Sequence, residues 1–125
     1  MPVRTRSQKF AMAAYDRIAL RTQNGQQKVK AEYVTFAKKF PALVHTCGLA
    51  QAVVFAIAKD KDHELYVDDL ASVLHGVGHA EITSARSVDE AVRKSEVSVY
   101  MRLSRDAIEA ASWLKRYVEA TGESD

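Results

Sequence analysis

The segment Pro41–Ala58, PALVHTCGLAQAVVFAIA, runs for 18 residues without an Asp, Glu, Lys or Arg, with Lys38 and Lys39 just before it and Lys59 just after. A stretch this apolar needs a dry environment: a membrane, the centre of a protein core or a partner surface. The membrane is the weakest of the three. A spanning helix takes about 20 mostly apolar residues, whereas this run is shorter, holds His45, Thr46, Gly48 and Gln51, and opens on a proline. No other segment comes closer to spanning. The N-terminal MPVRTRSQKF carries positive charge with no apolar core behind it, unlike a secretory signal. The run therefore reads as a central helix, opened by Pro41 and buried nearly all round by its neighbours. The expected location is the cytoplasm, with no membrane partner.

At 125 residues, with 47% hydrophobic and 27% charged side chains, the chain has the size and composition of one globular domain. Its two prolines and five glycines leave little room for structureless linkers, so residues 1–125 are expected to form a single domain with a frayed tail at 122–125. The single Cys47 excludes an intrachain disulfide and a multi-cysteine zinc site.

The apolar period is helical throughout. Phe10, Ala14 and Ile18 fall four apart, and Asn24-Gly25 supplies a turn. Val29, Tyr33, Phe36, Ala37 and Phe40 make a second stripe, with Lys38 and Lys39 at its end, where cations suit the helix dipole. Tyr66, Leu70, Val73 and Leu74 share a face of a segment that Asp62 would cap. His75-Gly76-Val77-Gly78-His79 breaks the pattern and opens a loop to about Arg86, after which Ser87 and Glu90 have capping-box spacing. Val99, Tyr100, Leu103, Ala107, Ala110, Ala111, Leu114 and Val118 form the longest stripe, and Gly122 lies just past its end. The expected fold is all-α, a compact bundle of five or six helices.

No residue set reads as a catalytic centre. His75 and His79 have a ligand interval, but Gly76 and Gly78 disfavour a helix there and no Glu follows His75 as in a metalloprotease motif. His45 and Cys47 point in different directions from one helix, so Cys47 reads as a small buried hydrophobe. Gly48 would allow close helix packing, and a buried Gln51 would need hydrogen-bond partners. Asp60, Asp62, Glu64, Asp68 and Asp69 read as a solvated rim rather than an acid–base pair. No catalytic residue, metal or cofactor is expected.

Charge carries the strongest functional signal. Residues 1–40 hold nine basic against two acidic side chains, +7, whereas residues 59–98 hold five against nine, −4. A basic third favours a polyanion, and an acidic third favours a basic partner or a second copy. Arg4, Arg6, Lys38, Lys39, Arg102, Lys115 and Arg116 are the candidate phosphate contacts. The pairs Arg102–Asp106, Arg105–Glu109 and Lys115–Glu119 are each spaced i, i+4, worth only about 0.2–0.5 kcal/mol apiece, too little to keep these cations from phosphate. Trp113 reads as a core anchor ahead of a base-stacking platform. Two rivals remain. In one, the first two helices form a helix-turn-helix of a stand-alone DNA-binding regulator, against which the linker Thr22–Gln27 is long. In the other, an enzyme cleft is built from His45, Cys47 and the 75–79 loop.

Three stretches carry a family likeness: Arg4-Thr5-Arg6-Ser7-Gln8 with Ala14-Tyr15; KKFPALVHTCGLAQAVVFA from Lys38 to Ala56; and YMRLSRDAIEAASWLKRY from Tyr100 to Tyr117. In these the chain resembles the small, fifth α-helical subunit of the Cmr-type (type III-B) CRISPR RNA-guided effector complex. The resemblance implies a non-enzymatic role in antiviral defence. Several copies would assemble as a minor filament beside the backbone subunits, forming a channel for the guide RNA–target RNA duplex. Cleavage would belong to other subunits. The partners implied are other Cmr-type subunits, copies of this chain and that duplex. The matched motifs do not say which side chains touch RNA, so the phosphate contacts rest on charge alone.

Overall fold

The computed structural model describes residues 4–23 and 31–120. Among the described residues the chain is all-α, with six helices and no strand: α1 (Arg6–Gln23), α2 (Ala31–Cys47), α3 (Leu49–Lys59), α4 (Lys61–Gly76), α5 (Ala85–Lys94) and α6 (Val97–Ala120). The turn expected at Asn24-Gly25, Val29 in the second stripe, and the expectations for Gly122 and the tail lie outside the described residues.

The stripes drawn by helical period form the core. Phe10, Ala14 and Ile18 of α1 are buried, as are Tyr33, Phe36, Ala37 and Phe40 of α2, Tyr66, Leu70, Val73 and Leu74 of α4, and Leu103, Ala107, Leu114 and Val118 of α6. Burying each of the larger of these stabilises the fold by about 1.5–3 kcal/mol. Both α1 and α2 pack on α4 and on α6, and α4 meets α6 across the middle, so α1 and α2 stand at opposite corners of a four-helix arrangement. Arg6 of α1 reaches Asp106 of α6 and Tyr15 meets Tyr117, so these two helices run side by side in the same direction. α3 folds back onto α2 and α4, and α5 lies against α3 and α4.

The uncharged run departs from expectation. It is not one helix opened by Pro41. Pro41 lies inside α2, which continues to Cys47, so the run is divided between the second half of α2 and nearly all of α3. Proline has no N–H, so the Ala37 carbonyl loses its helical donor there. The packing of buried Ala37, Phe40 and Val44 around it holds α2 together. The break falls at Gly48, with φ 87° and ψ 157°, a region essentially reserved for glycine. Its N–H still donates to the Val44 carbonyl at 2.8 Å. The Tyr100 hydroxyl accepts from the Ala50 N–H at 3.1 Å, satisfying one of the free donors at the start of α3. Lys38 and Lys39 consequently sit in the middle of α2, away from the C-terminal dipole.

Two caps also move. Asp60 rather than Asp62 caps α4, accepting from the His63 N–H at 3.0 Å. Ser84 rather than Ser87 caps α5, with Ser87 as its reciprocal partner. Glu90 pairs with Lys94 at 2.8 Å instead of closing the box. The helix α4 continues through His75 to Gly76, so the connecting loop is shorter than expected.

Candidate functional site

Asp69 is fully buried, which corrects its assignment to a solvated rim. Its carboxylate accepts from Arg17 Nε at 3.0 Å, from Arg21 Nε at 2.9 Å and a second Arg21 nitrogen at 2.7 Å, and from the Tyr33 hydroxyl at 2.5 Å. Three helices, α1, α2 and α4, are thereby tied at one point. The hydrogen bond to Asp69 raises the Arg21 guanidinium above its ordinary value. Burial, reinforced by the Asp69 charge, pushes the Tyr33 hydroxyl well above its own. Arg17 and Arg21, part of the basic third, are therefore spent inside the fold. Asp68 likewise leaves the rim: its carboxylate accepts from the Ala85 N–H at 2.6 Å, at the start of α5. The helical spacing held this signal, since Asp69 falls three residues after Tyr66 on the apolar face of α4.

A second charged cluster joins α1 to α6. Arg6 pairs with Asp106 and, at 2.6 Å, with Glu109, while its guanidinium lies over the Phe10 ring. His79 Nε2 donates to the other Asp106 oxygen at 2.7 Å. Burial alone would raise the Asp106 carboxyl, but the hydrogen bonds from His79 and Arg6 outweigh it and hold it below its ordinary value. The i, i+4 pairs expected on α6 do not form. Asp106 and Glu109 turn to Arg6 instead, and among the described residues Arg102, Arg105, Lys115 and Arg116 carry no salt bridge.

The candidate phosphate contacts fall on three helices. Arg4 precedes α1 and lines a shallow groove with Tyr15, Asp16 and Tyr117. Trp113 stacks on Tyr117 at 5.9 Å, Tyr117 meets Tyr15 edge-on at 5.5 Å, and the Arg116 guanidinium lies 5.3 Å from the Trp113 ring. Trp113 is half-buried, so it belongs to a surface ladder rather than to the deep core. Arg102 is exposed on the first half of α6, and Lys115 is half-buried further along it. Lys38 is half-buried and Lys39 exposed on α2. Of the seven, Arg6 is held by two carboxylates, Asp106 and Glu109.

A concavity larger than the Arg4 groove lies elsewhere. One face of α2, from Ala31 to Thr46, and Phe55 and Lys59 of α3 wall a groove of about 640 Å³, with Phe36 in its floor, His63 at one side and Lys39 on its rim. The adjoining outer face of α3 is Gln51, Val54, Phe55 and Ala58, all exposed, with Val54 at 51% and Phe55 at 47%. The uncharged run is thus not buried nearly all round: one face enters the core through Leu49, Ala52, Val53 and Ala56, and the other is open. Gln51 needs no buried partner. Sequence reasoning also missed a second apolar ridge, Met12, Tyr15 and Leu20 on the outer side of α1. Its signal was present, since Met12 and Leu20 lie eight apart and two residues out of phase with Phe10 and Ile18.

His45 and Cys47 are exposed at the end of α2, which corrects the buried reading of Cys47. His75 is exposed on α4, whereas His79 turns to Asp106. No group of three or more His, Cys, Asp or Glu able to hold a metal ion occurs among the described residues. No described helix is long and apolar enough to cross a membrane. The first two helices, at opposite corners, do not pack together as a helix-turn-helix pair would.

Fold and surface define an all-helical protein that presents a largely apolar groove rimmed by Lys39 and Lys59 and an aromatic ladder beside Arg116. Comparisons with known proteins narrow this class. Residues 6–121 match the family described as CRISPR-associated protein (Cas_Cmr5). The chain is 36% identical over 119 residues to the CRISPR system Cmr subunit Cmr5 of Thermus thermophilus, covering 94% of this chain and 96% of that protein. The X-ray crystal structure of a CRISPR-associated Cmr5 family protein from the same organism matches with a TM-score of 0.82 at 36% identity, covering 97% of this chain and all of that one. The chain belongs to the Cmr5 family of CRISPR-associated proteins.

Proposed function

We propose that this protein is a non-catalytic small subunit of a type III-B CRISPR RNA-guided effector complex in the cytoplasm. Several copies form a minor filament beside the backbone subunits and help enclose the guide RNA–target RNA duplex, as part of antiviral defence. The full-length match in sequence and fold to a protein named as a Cmr subunit carries this reading. All 125 residues act as one domain in this role.

The basic residues Arg4, Arg6, Lys38, Lys39, Arg102, Lys115 and Arg116 are proposed to meet RNA phosphates. Arg102, Lys115 and Arg116 lead this group, because no carboxylate of the described chain neutralises them. Arg6 would have to leave Asp106 and Glu109 first, so its share is smallest. Such contacts read charge and helical shape, leaving sequence to base pairing.

Affinity isolation of the tagged full chain from its own cells should recover other CRISPR subunits together with guide RNA. Replacing Arg102, Lys115 and Arg116 by alanine should weaken RNA binding and flatten its salt dependence by about one unit of slope for each phosphate no longer neutralised. Recovery of the chain without CRISPR subunits or RNA would overturn the reading.

A further inference from the structure

The seam between α1 and α6 carries three aromatic rings, Tyr15 from α1 and Trp113 and Tyr117 from α6. Trp113 and Tyr117 pack against the hydrophobic core and stack 24° from parallel. Tyr15 stands edge-on to Tyr117 and is 52% exposed. Closing the seam accounts for the covered sides of the two α6 rings. It does not account for Tyr15, which lies outside the buried stripe of Phe10, Ala14 and Ile18. Among the described residues the Tyr15 and Tyr117 hydroxyls and the Trp113 N–H have no hydrogen-bond partner, so these polar tips are open to a ligand. A preformed run of rings with open faces is the surface on which planar bases stack.

The charges around the rings favour an anionic ligand. The Arg116 guanidinium lies 5.3 Å from the Trp113 ring, and Arg4 lines the groove that Tyr15 and Tyr117 wall. Exposed Lys9 on α1 and half-buried Lys115 on α6 add to them. The carboxylates of this region are Asp16, Glu109 and Glu119. Glu109 is neutralised by Arg6 at 2.6 Å. Asp16, in the same groove as Arg4, and Glu119, one turn past Lys115, take part in no salt bridge among the described residues. The four cations therefore outnumber the free carboxylates. With phosphates drawn to Arg4 and Arg116, Asp16 is left to accept from the N–H groups of a base edge.

We propose that this ladder is a stacking site for unpaired RNA bases, with Arg4 and Arg116 on the flanking phosphates. This rests on the reading that the chain meets RNA, and it names the form of RNA that this surface takes. Bases within a duplex already stack on one another and hide their faces, so the rings favour a single-stranded segment. Stacking tolerates any sequence, because every base has a π-face. The guanidinium over Trp113 adds a cation–π contact to the same platform.

Trp113 is the only tryptophan of the chain, so its fluorescence reports on the ladder directly. The full chain is titrated with an oligouridylate, an RNA duplex of the same length and an abasic ribose-phosphate strand of the same charge. The oligouridylate should quench Trp113 and bind about tenfold more tightly than the abasic strand. The duplex should leave Trp113 unquenched. Tyr15→Leu keeps an apolar side chain and removes the ring, so it should weaken oligouridylate binding about tenfold at an unchanged salt slope. Tyr15→Phe should bind like the wild type. Arg116→Ala should lower the slope by about 0.7. In the isolated ribonucleoprotein, thiouridine-substituted RNA should photo-cross-link to Tyr15, Trp113 or Tyr117. Equal affinity for the oligouridylate and the abasic strand, with no cross-link to these rings, overturns the stacking site and leaves the phosphate contacts standing. Rings that stay covered in the ribonucleoprotein after ribonuclease treatment belong to a protein interface and overturn it too. A chain that binds none of the three strands and cross-links to RNA nowhere overturns the RNA reading itself.

Discussion

Asp69 carries a formal charge and is completely buried, while Val54 and Phe55, from the one long segment without charge, stand about half exposed. The two regions differ in where their partners are. Asp69 finds two guanidinium groups and a hydroxyl within the chain, so its desolvation is offset by four hydrogen bonds. The outer face of α3 finds no such cover among the described residues. Burial of Asp69 therefore follows from the partners it finds rather than from its polarity, and the open face of α3 is left available to another molecule.

The comparison breaks most directly at its buried side. Asp69→Ala should cost about 3 kcal/mol, because Arg17, Arg21 and Tyr33 are left without their acceptor. Thermal unfolding should show a midpoint lower by about 10 °C. Tyr33→Phe, which removes one donor, should cost only about 1 kcal/mol. Equal losses for the two would mean that aromatic packing, and not the carboxylate, holds this knot.

The corner between α2 and α3 comes next. Gly48→Ala should cost about 2 kcal/mol in denaturant unfolding, since φ 87° with ψ 157° strains any residue with a Cβ. Space is not the cause: the added methyl would lie 3.6 Å from the Tyr100 hydroxyl, an ordinary contact. An unchanged midpoint would show that the corner relaxes freely.

Acid sharpens the contrast between the two charged clusters. The folded Asp106 carboxyl is held below its unfolded value of about 3.8. Its contribution is therefore fully present above about pH 4 and is lost as pH falls through the lower folded value. Asp106→Asn should reduce stability near neutrality by about 1.5 kcal/mol, and its acid unfolding curve should be flatter than wild type below about pH 4. A wild-type acid slope in that variant would remove Asp106 from the account. The smallest effect belongs to the open face. Val54→Gln should change the stability of the monomer by less than about 0.5 kcal/mol, and a larger loss would mean that Val54 is covered within its own chain.

Much of the fold was legible because helical period alone selects a buried stripe. Phe10, Ala14 and Ile18, and Leu103 through Val118, needed no tertiary knowledge. The central helix was misjudged because absence of charge was equated with burial on every side. A helix of 11 residues covered by neighbours on one side only keeps an outward face. The helix break was placed at Pro41, where a proline usually ends a helix, and Gly48 competed successfully for it. Grouping Asp69 with its acidic neighbours hides it, although its spacing from Tyr66 and Val73 puts it on the buried face of α4. The candidate cations were visible by composition. Which of them are spent internally depends on contacts such as Arg6 with Asp106, separated by 100 residues.

Hydroxyl-radical footprinting of the full chain, free and within its isolated ribonucleoprotein, tests the central claim that the uncharged face meets protein while the unpaired cations meet RNA. Phe55 and Met12 should be labelled in the free chain at low concentration and protected in the assembly, before and after ribonuclease treatment. Trp113, beside Arg116, should lose its protection once RNA is digested. Equal labelling of Phe55 in the free chain and in the assembly would contradict the account.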